Sequence, residues 1–306
     1  MVATPHIITV MTRLRRVAGV VFAILSSATF GLIPLFTVPL LLRGVGSSTI
    51  LCYRFLLASV AVAVVMLFTK RSFKLQRSHL GVVLLLSLLY ALTAILLIES
   101  YEYIPSGVAT TIHFLYPLAV TLTMSWLFKT KTTAVTYIAV IVSLIGVALL
   151  AWGGHTEGDF KRGVVLALLT VATYAAYIVG VMRSRASSID SIMLTFYVLL
   201  FGTAMFFIYA LLTTGIESVH HYSDWRDLAM LAIVSTVLSD YFLILAIKRI
   251  GSTMTSILGS MEPLTAVVVG VVYFNEQFDP ASIAGLLLII IAVILVIAQT
   301  NRQSIS

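Results

Sequence analysis

Five ionisable side chains stand inside stretches built otherwise of Ile, Leu, Val, Ala and Phe: Arg54, Glu99, His113, Asp240 and Glu262. A charge in hydrocarbon is costly, so such residues face a cavity, a partner or a transport pathway. Glu262 lies ten residues from one end of its apolar run 252–274, and Asp240 seven from the end of the run 227–247. At about 1.5 Å of rise per residue, both come out near the middle of a membrane. Two carboxylates at one depth repel if close, and a proton kept on one of them relieves the repulsion. The chemistry expected of Glu262, with or without Asp240, is exchange of a proton for substrate or binding of a substrate amine. A structural role stands beside it: Pro263 frees a backbone carbonyl one turn earlier, which a protonated glutamic acid would serve.

Arg54 lies about seven residues inside the run 47–69, and Glu99 close to the same-side end of the run 79–101. Their depths are compatible with an ion pair. That pair would tie two helices together, or act as a gate or an anchor for a substrate carboxylate; an arginine snorkelling to the interface is the third option. His113, Phe114, Tyr116 and Pro117 in the run 106–128 parallel the segment 259–263. Histidine changes charge nearest neutral pH, so His113 is either a substrate contact or a satisfied packing residue. Tyr90, Tyr101, Tyr116, Tyr174 and Tyr177 are candidates to line a cavity for an amphipathic solute, or ordinary packing. No metal-binding His-Glu-x-x-His, Gly-x-Ser-x-Gly nucleophile turn or phosphate loop occurs, and Gly44-Val45-Gly46 has no lysine after it. No catalysis, metal or cofactor is expected.

The elements that must position these residues are membrane helices. The chain has 306 residues, 60% hydrophobic and 10% charged, with a mean hydropathy of +1.09. Soluble domains are nearer 25% charged. About twenty apolar residues cross the hydrocarbon core. Ten candidate spans follow: 17–41, 47–69, 79–101, 106–128, 132–152, 163–182, 191–213, 227–247, 252–274 and 281–299. They are too long and too uniformly apolar for barrel strands. The expected fold is an all-α polytopic membrane protein with a single membrane domain over 1–306. The pI of 9.6 fits basic loops against anionic lipid, and no basic run interleaved with aromatics suggests nucleic acid. Cys52 is the one cysteine, so no internal disulfide is expected. The arginines before the first run resemble a signal peptide, but that run is too long and reads as an uncleaved span.

Lysine and arginine in short loops mark the cytoplasmic side. Arg13, Arg15, Arg16, Lys70, Arg71, Lys74, Arg77, Lys129, Lys131, Arg183, Arg185, Lys248, Arg249 and Arg302 fall on one side, against Arg43, Lys161, Arg162 and Arg226 on the other. Glu102, Glu157, Asp159, Glu217, Asp224, Asp227, Glu276 and Asp279 are on the second side and only Asp190 on the first. Both termini are therefore expected in the cytoplasm, in a multi-pass inner-membrane protein. The segment 98–150, shifted by 146 positions, lies on 244–296 without a gap, Pro117 meeting Pro263 and Ser106 meeting Ser252. Apolar patterning is shared and flanking charge inverted. A duplicated unit of five spans must enter from the opposite side, so a five-plus-five inverted repeat is expected, with units 13–152 and 161–300.

Phe30-Gly31 in the first span, Arg54-Phe55 in the second, Met261-Glu262-Pro263 in the ninth and Asn275-Glu276 before Gly285 in the last together resemble the drug/metabolite transporter superfamily, in its EamA-type branch. Asn275 replaces that family's usual glycine, and Asp240 stands where a tyrosine or small residue is usual. The resemblance implies ten helices around a central cavity, alternating access, and a substrate drawn from amino acids, other metabolites or drugs. The function expected is secondary-active transport of a small amphipathic metabolite: an amino-acid-like exporter, with proton antiport, acting as a monomer or a homodimer. A lipid or lipid-precursor flippase on the same fold is the alternative.

Overall fold

A computed structural model describes residues 5–130, 134–153, 159–213, 215–276 and 280–303. Lys131, Glu157 and Asp279 lie outside the described residues, as do the side chains of Arg13, Arg15 and Arg302. The helices are α1 (Pro5–Phe30), α2 (Ile33–Leu42), α3 (Ser47–Phe68), α4 (Arg77–Ser100), α5 (Ser106–His113), α6 (Tyr116–Phe128), α7 (Ala134–Gly153), α8 (Phe160–Arg183), α9 (Ser191–Leu212), α10 (Tyr222–Ala232), α11 (Ser239–Ile250), α12 (Ser252–Ile257), α13 (Met261–Phe274) and α14 (Pro280–Gln303). Helix is what such sequence must form in lipid, since it satisfies every backbone polar group within the segment. Eight segments of the described residues are long and apolar enough to cross a membrane, among them Ser47–Phe68, Ser106–Phe128, Tyr222–Ile250 and Ser252–Phe274. α7 and α14 occupy the remaining two expected spans.

Four of the crossing segments are interrupted, and proline or glycine marks three of the interruptions. α1 gives way to α2 at Gly31 and Leu32, where Pro34 opens the new helix. α5 ends at His113, and α6 restarts at Tyr116-Pro117. α12 passes through a tight turn at Leu258–Ser260 before α13 begins with Met261-Glu262-Pro263. The fourth break has no such marker: between α10 and α11 the residues Ile233–Leu238 form a π-helical turn, a widening often found at functional sites.

The repeat is visible in the backbone. Lys129 and Asn275 are counterparts, and both adopt the left-handed conformation, with φ of 52° and 54°. In each case the next amide folds back onto a carbonyl six residues earlier, Thr130 on Met124 at 3.3 Å and Glu276 on Gly270 at 2.9 Å. Asparagine tolerates this conformation better than most residues, which accounts for Asn275 in a glycine position.

Packing does not follow the chain halves. α1 lies against α11 and touches α12 and α13, while α8 lies against α4, α5 and α6. Each half thus lends its first helix to the other. α3 packs on α9, and α7 on α14. At the α7–α14 crossing a side chain on Gly146 would stand 2.7 Å from the Gly285 carbonyl, a close approach that small residues permit.

Candidate functional site

Three of the helix interruptions meet around one cavity, lined by Phe30, Arg54, Tyr90, Thr93, His113, Tyr174 and Glu262 together with Ile33 and aliphatic residues of α4. Phe30 arrives at the α1–α2 break, where Gly31 lies so near α13 that a side chain there would stand 2.5 Å from the Glu262 carbonyl. Glu262 enters in the first turn of α13, and His113 is the last residue of α5.

Glu262 is 3% exposed and His113 2%. The Tyr116 hydroxyl faces Glu262 Oε2 at 3.4 Å, and His113 Nε2 lies 3.7 Å from Glu262 Oε1. His113 Nδ1 is 2.7 Å from the Thr170 hydroxyl, which itself donates to the Ala167 carbonyl at 2.5 Å. A hydroxyl has one proton to give. With that proton on Ala167, Thr170 accepts from His113 Nδ1–H, and in the neutral ring Nε2 is a bare lone pair facing the carboxyl. One proton on the pair suits both groups, since a second sets an N–H donor against an O–H donor and none sets two acceptors against each other across 3.7 Å.

Arg54, which also lines the cavity and is 2% exposed, donates from Nε to the Thr236 hydroxyl at 2.7 Å. Thr236 sits in the π turn and donates in turn to the Leu231 carbonyl at 2.8 Å. Tyr90 donates to Asp240 Oδ1 at 2.7 Å, whereas Asp240 Oδ2 is buried with no hydrogen-bond partner. Tyr174 packs 4.7 Å from the Tyr116 ring and 6.1 Å from that of Tyr177, which in turn lies 5.1 Å from Tyr90.

The structure therefore brings Glu262, His113, Tyr116, Tyr90, Tyr174 and Arg54 together. Tyr177 is buried behind Tyr90 and does not reach the cavity wall. Tyr101 lies past the end of α4, its hydroxyl 3.4 Å from Thr110. Arg54 and Glu99 form no ion pair; Glu99 accepts instead from the Ser47 hydroxyl. Ser47 is seven residues before Arg54, a height difference of about 10 Å along α3. Thr170 and Thr236, which orient His113 and Arg54, are hydroxyls in apolar helices that nothing in the sequence marked.

At the end of the bundle where α5 begins and α13 ends, Glu276 accepts from Ser106 N–H at 3.0 Å, Ser106 Oγ at 2.6 Å and Gly107 N–H at 3.3 Å. Arg43 there bridges Asp224 at 2.6 Å and Asp227 at 2.7 Å. Burial works against its charge, yet the bonds and charges of Asp227 and Asp224 hold the guanidinium above its ordinary value. Glu102 is pushed up from the usual carboxylate range by burial and by Glu99 beside it. At the opposite end Arg71 meets Asp190 at 3.2 Å, exposed enough to be worth at most about 1 kcal/mol, and Lys248 donates to the Ile189 carbonyl.

The sequence pattern of the EamA-like transporter family matches residues 17–152 and, a second time, 161–298. The chain belongs to the EamA-like transporter family. It is a multi-pass membrane protein, and the paired match is the two-repeat architecture of that family. The threonine/homoserine exporter RhtA of Escherichia coli (strain K12) is 28% identical over 200 residues, 63% of each chain; that of Escherichia coli O157:H7 matches equally. The chain thus spans 63% of the length of these curated relatives. A crystal structure at 17% identity, covering 95% of this chain and 99% of the other, superposes with a TM-score of 0.68. The fold of that structure is therefore shared over nearly the whole chain.

Proposed function

We propose that this family member is a secondary-active exporter of a small amphipathic metabolite, amino-acid-like, that moves by alternating access and exchanges substrate for a proton. One observation carries the reading: the same cavity is lined by Arg54 and by the His113–Glu262 unit. A zwitterion matches that arrangement, its carboxylate on Arg54 and its ammonium on Glu262. An ammonium arriving at Glu262 takes over the role of the proton shared with His113, so substrate entry expels a proton and substrate release lets one return. RhtA, a threonine/homoserine exporter by name, supports the substrate class at modest identity.

In this reading the basic loops lie in the cytoplasm, both termini with them, and the membrane is the inner one. The inverted units are 13–152 and 161–300. The moving bodies are the exchanged groups, α4–α6 with α8 against α11–α13 with α1, each built on its closest helix pair, α4 on α8 and α1 on α11, with α5 meeting α13 and α6 meeting α12 across the boundary between them. Tyr90–Asp240 and Tyr116–Glu262 join the two bodies at mid-membrane. A thermal-shift screen of the purified protein against metabolites, at two pH values, tests the reading. Stronger stabilisation by α-amino acids than by their decarboxylated amines, which meet Glu262 alone, is expected. Stabilisation by lipid head groups alone would replace it with the flippase.

A further inference from the structure

We infer that Glu276 is the gate residue at the acidic end of the bundle, and that the two gates of this transporter are built unequally; this rests on the alternating-access reading above. Glu276 follows left-handed Asn275, which turns the chain back over α13. Its carboxylate lies over Gly270, where a side chain would stand 2.2 Å from Oε2. From there it takes two backbone amides and a hydroxyl at the start of α5. A carboxylate on the free amides of a helix N-terminus is a charge-assisted contact, stronger than a neutral one. It joins α13 of one moving body to α5 of the other.

The inverted repeat supplies the comparison. The counterpart of Glu276 is Thr130, which follows left-handed Lys129, and that of Gly270 is Met124. The counterpart of Ser106 is Ser252, at the start of α12. The backbone turn is retained at both ends. At the paired positions Glu276 offers a carboxylate and Gly270 makes room for it, where the other end has Thr130 and Met124. Glu276 therefore holds its own end shut, and opening to that side requires all three bonds to break.

The test is side-specific labelling of the full chain in membranes. Cys52 is replaced by serine and Leu97, which lines the cavity, by cysteine as reporter. A membrane-impermeant maleimide is added on the Glu276 side. Glu276→Gln is expected to speed labelling about tenfold, the shift in open population that losing a contact of this kind produces. Gly270→Ala, which displaces the carboxylate while leaving Glu276 in place, gives the same direction, and Ser106→Ala a smaller rise. If Glu276→Gln does not accumulate as folded protein, the Gly270→Ala and Ser106→Ala arms decide. Unchanged labelling in the folded variants overturns the gate, as does an equal rise from the opposite side. Faster labelling in a protein that transports nothing would keep the gate and remove the transport reading.

Discussion

Tyr116 and Glu262 are equivalent residues of the two repeats, 146 positions apart, and they touch, hydroxyl to carboxylate, at 3.4 Å. Two counterparts in contact must lie on the pseudo-two-fold axis that relates them. The axis therefore passes through the wall of the cavity, at the level where α5–α6 and α12–α13 are both interrupted. A site on the axis presents the same depth to either side, as alternating access requires. The repeats differ there in chemistry: one contributes His113 and Tyr116, the other Gly259 and Glu262.

Gly259 is the counterpart of His113, and a side chain at that position would stand 2.1 Å from the Tyr116 hydroxyl. Gly259→Ala is therefore expected to destabilise the protein by about 1–3 kcal/mol through overpacking. Tyr116→Phe removes the clashing oxygen and should recover part of that loss. Melting temperatures of the two single variants and the double variant measure the coupling, which is expected to exceed about 0.5 kcal/mol for residues in contact.

Gly31→Ala meets the Glu262 backbone carbonyl at 2.5 Å, an atom that cannot rotate away. The variant should lose about 1–3 kcal/mol and should weaken transport by displacing Glu262, measured as a lower melting temperature together with reduced maximal uptake.

Thr170 fixes the His113 ring. Thr170→Val keeps the shape and removes the acceptor for Nδ1–H, leaving a buried donor unpaired at a cost of about 1–3 kcal/mol. The pH profile of transport is expected to move, because the ring is no longer bound to present Nε2 as the acceptor. Thr170→Ser restores the hydroxyl and should return the profile to that of the wild type. An unmoved profile in Thr170→Val would show that the threonine only packs.

Arg54→Gln removes the guanidinium while Thr236 retains a donor to bond with. Apparent affinity for an α-amino acid should fall at least tenfold, with that for the corresponding amine little changed, since the site loses only its carboxylate partner. Equal losses for both ligands would mean that Arg54 supports α3 against the π turn and does not read substrate.

Much of the frame was legible in the sequence. Apolar runs fix helices in lipid, and the inverted charge fixes the relation of the halves; Lys129 and Asn275 then fold alike. What depth alone could not supply was partnership. Counting about 1.5 Å per residue put Arg54 and Glu99 at compatible heights, yet Glu99 reaches the level of Ser47 and Arg54 turns to Thr236. The π turn that places Thr236 departs from the 3.6-residue period on which such counting depends. The exchange of α1 and α8 between halves is likewise set by the fit of whole helix faces, as with Gly31 against α13, which no local pattern encodes. Thr170 went unmarked because one hydroxyl in an apolar helix has no distinguishing spacing.

Above all, substrate and proton should compete for the His113–Glu262 unit. Purified protein in liposomes loaded with a pH-sensitive dye gives the most direct measurement: proton movement on addition of an α-amino acid to one side, for wild type and Glu262→Gln. Wild type should move protons opposite to the amino acid, and Glu262→Gln, folded by its melting temperature, should move none. Proton flux of equal size in the two proteins would contradict the account.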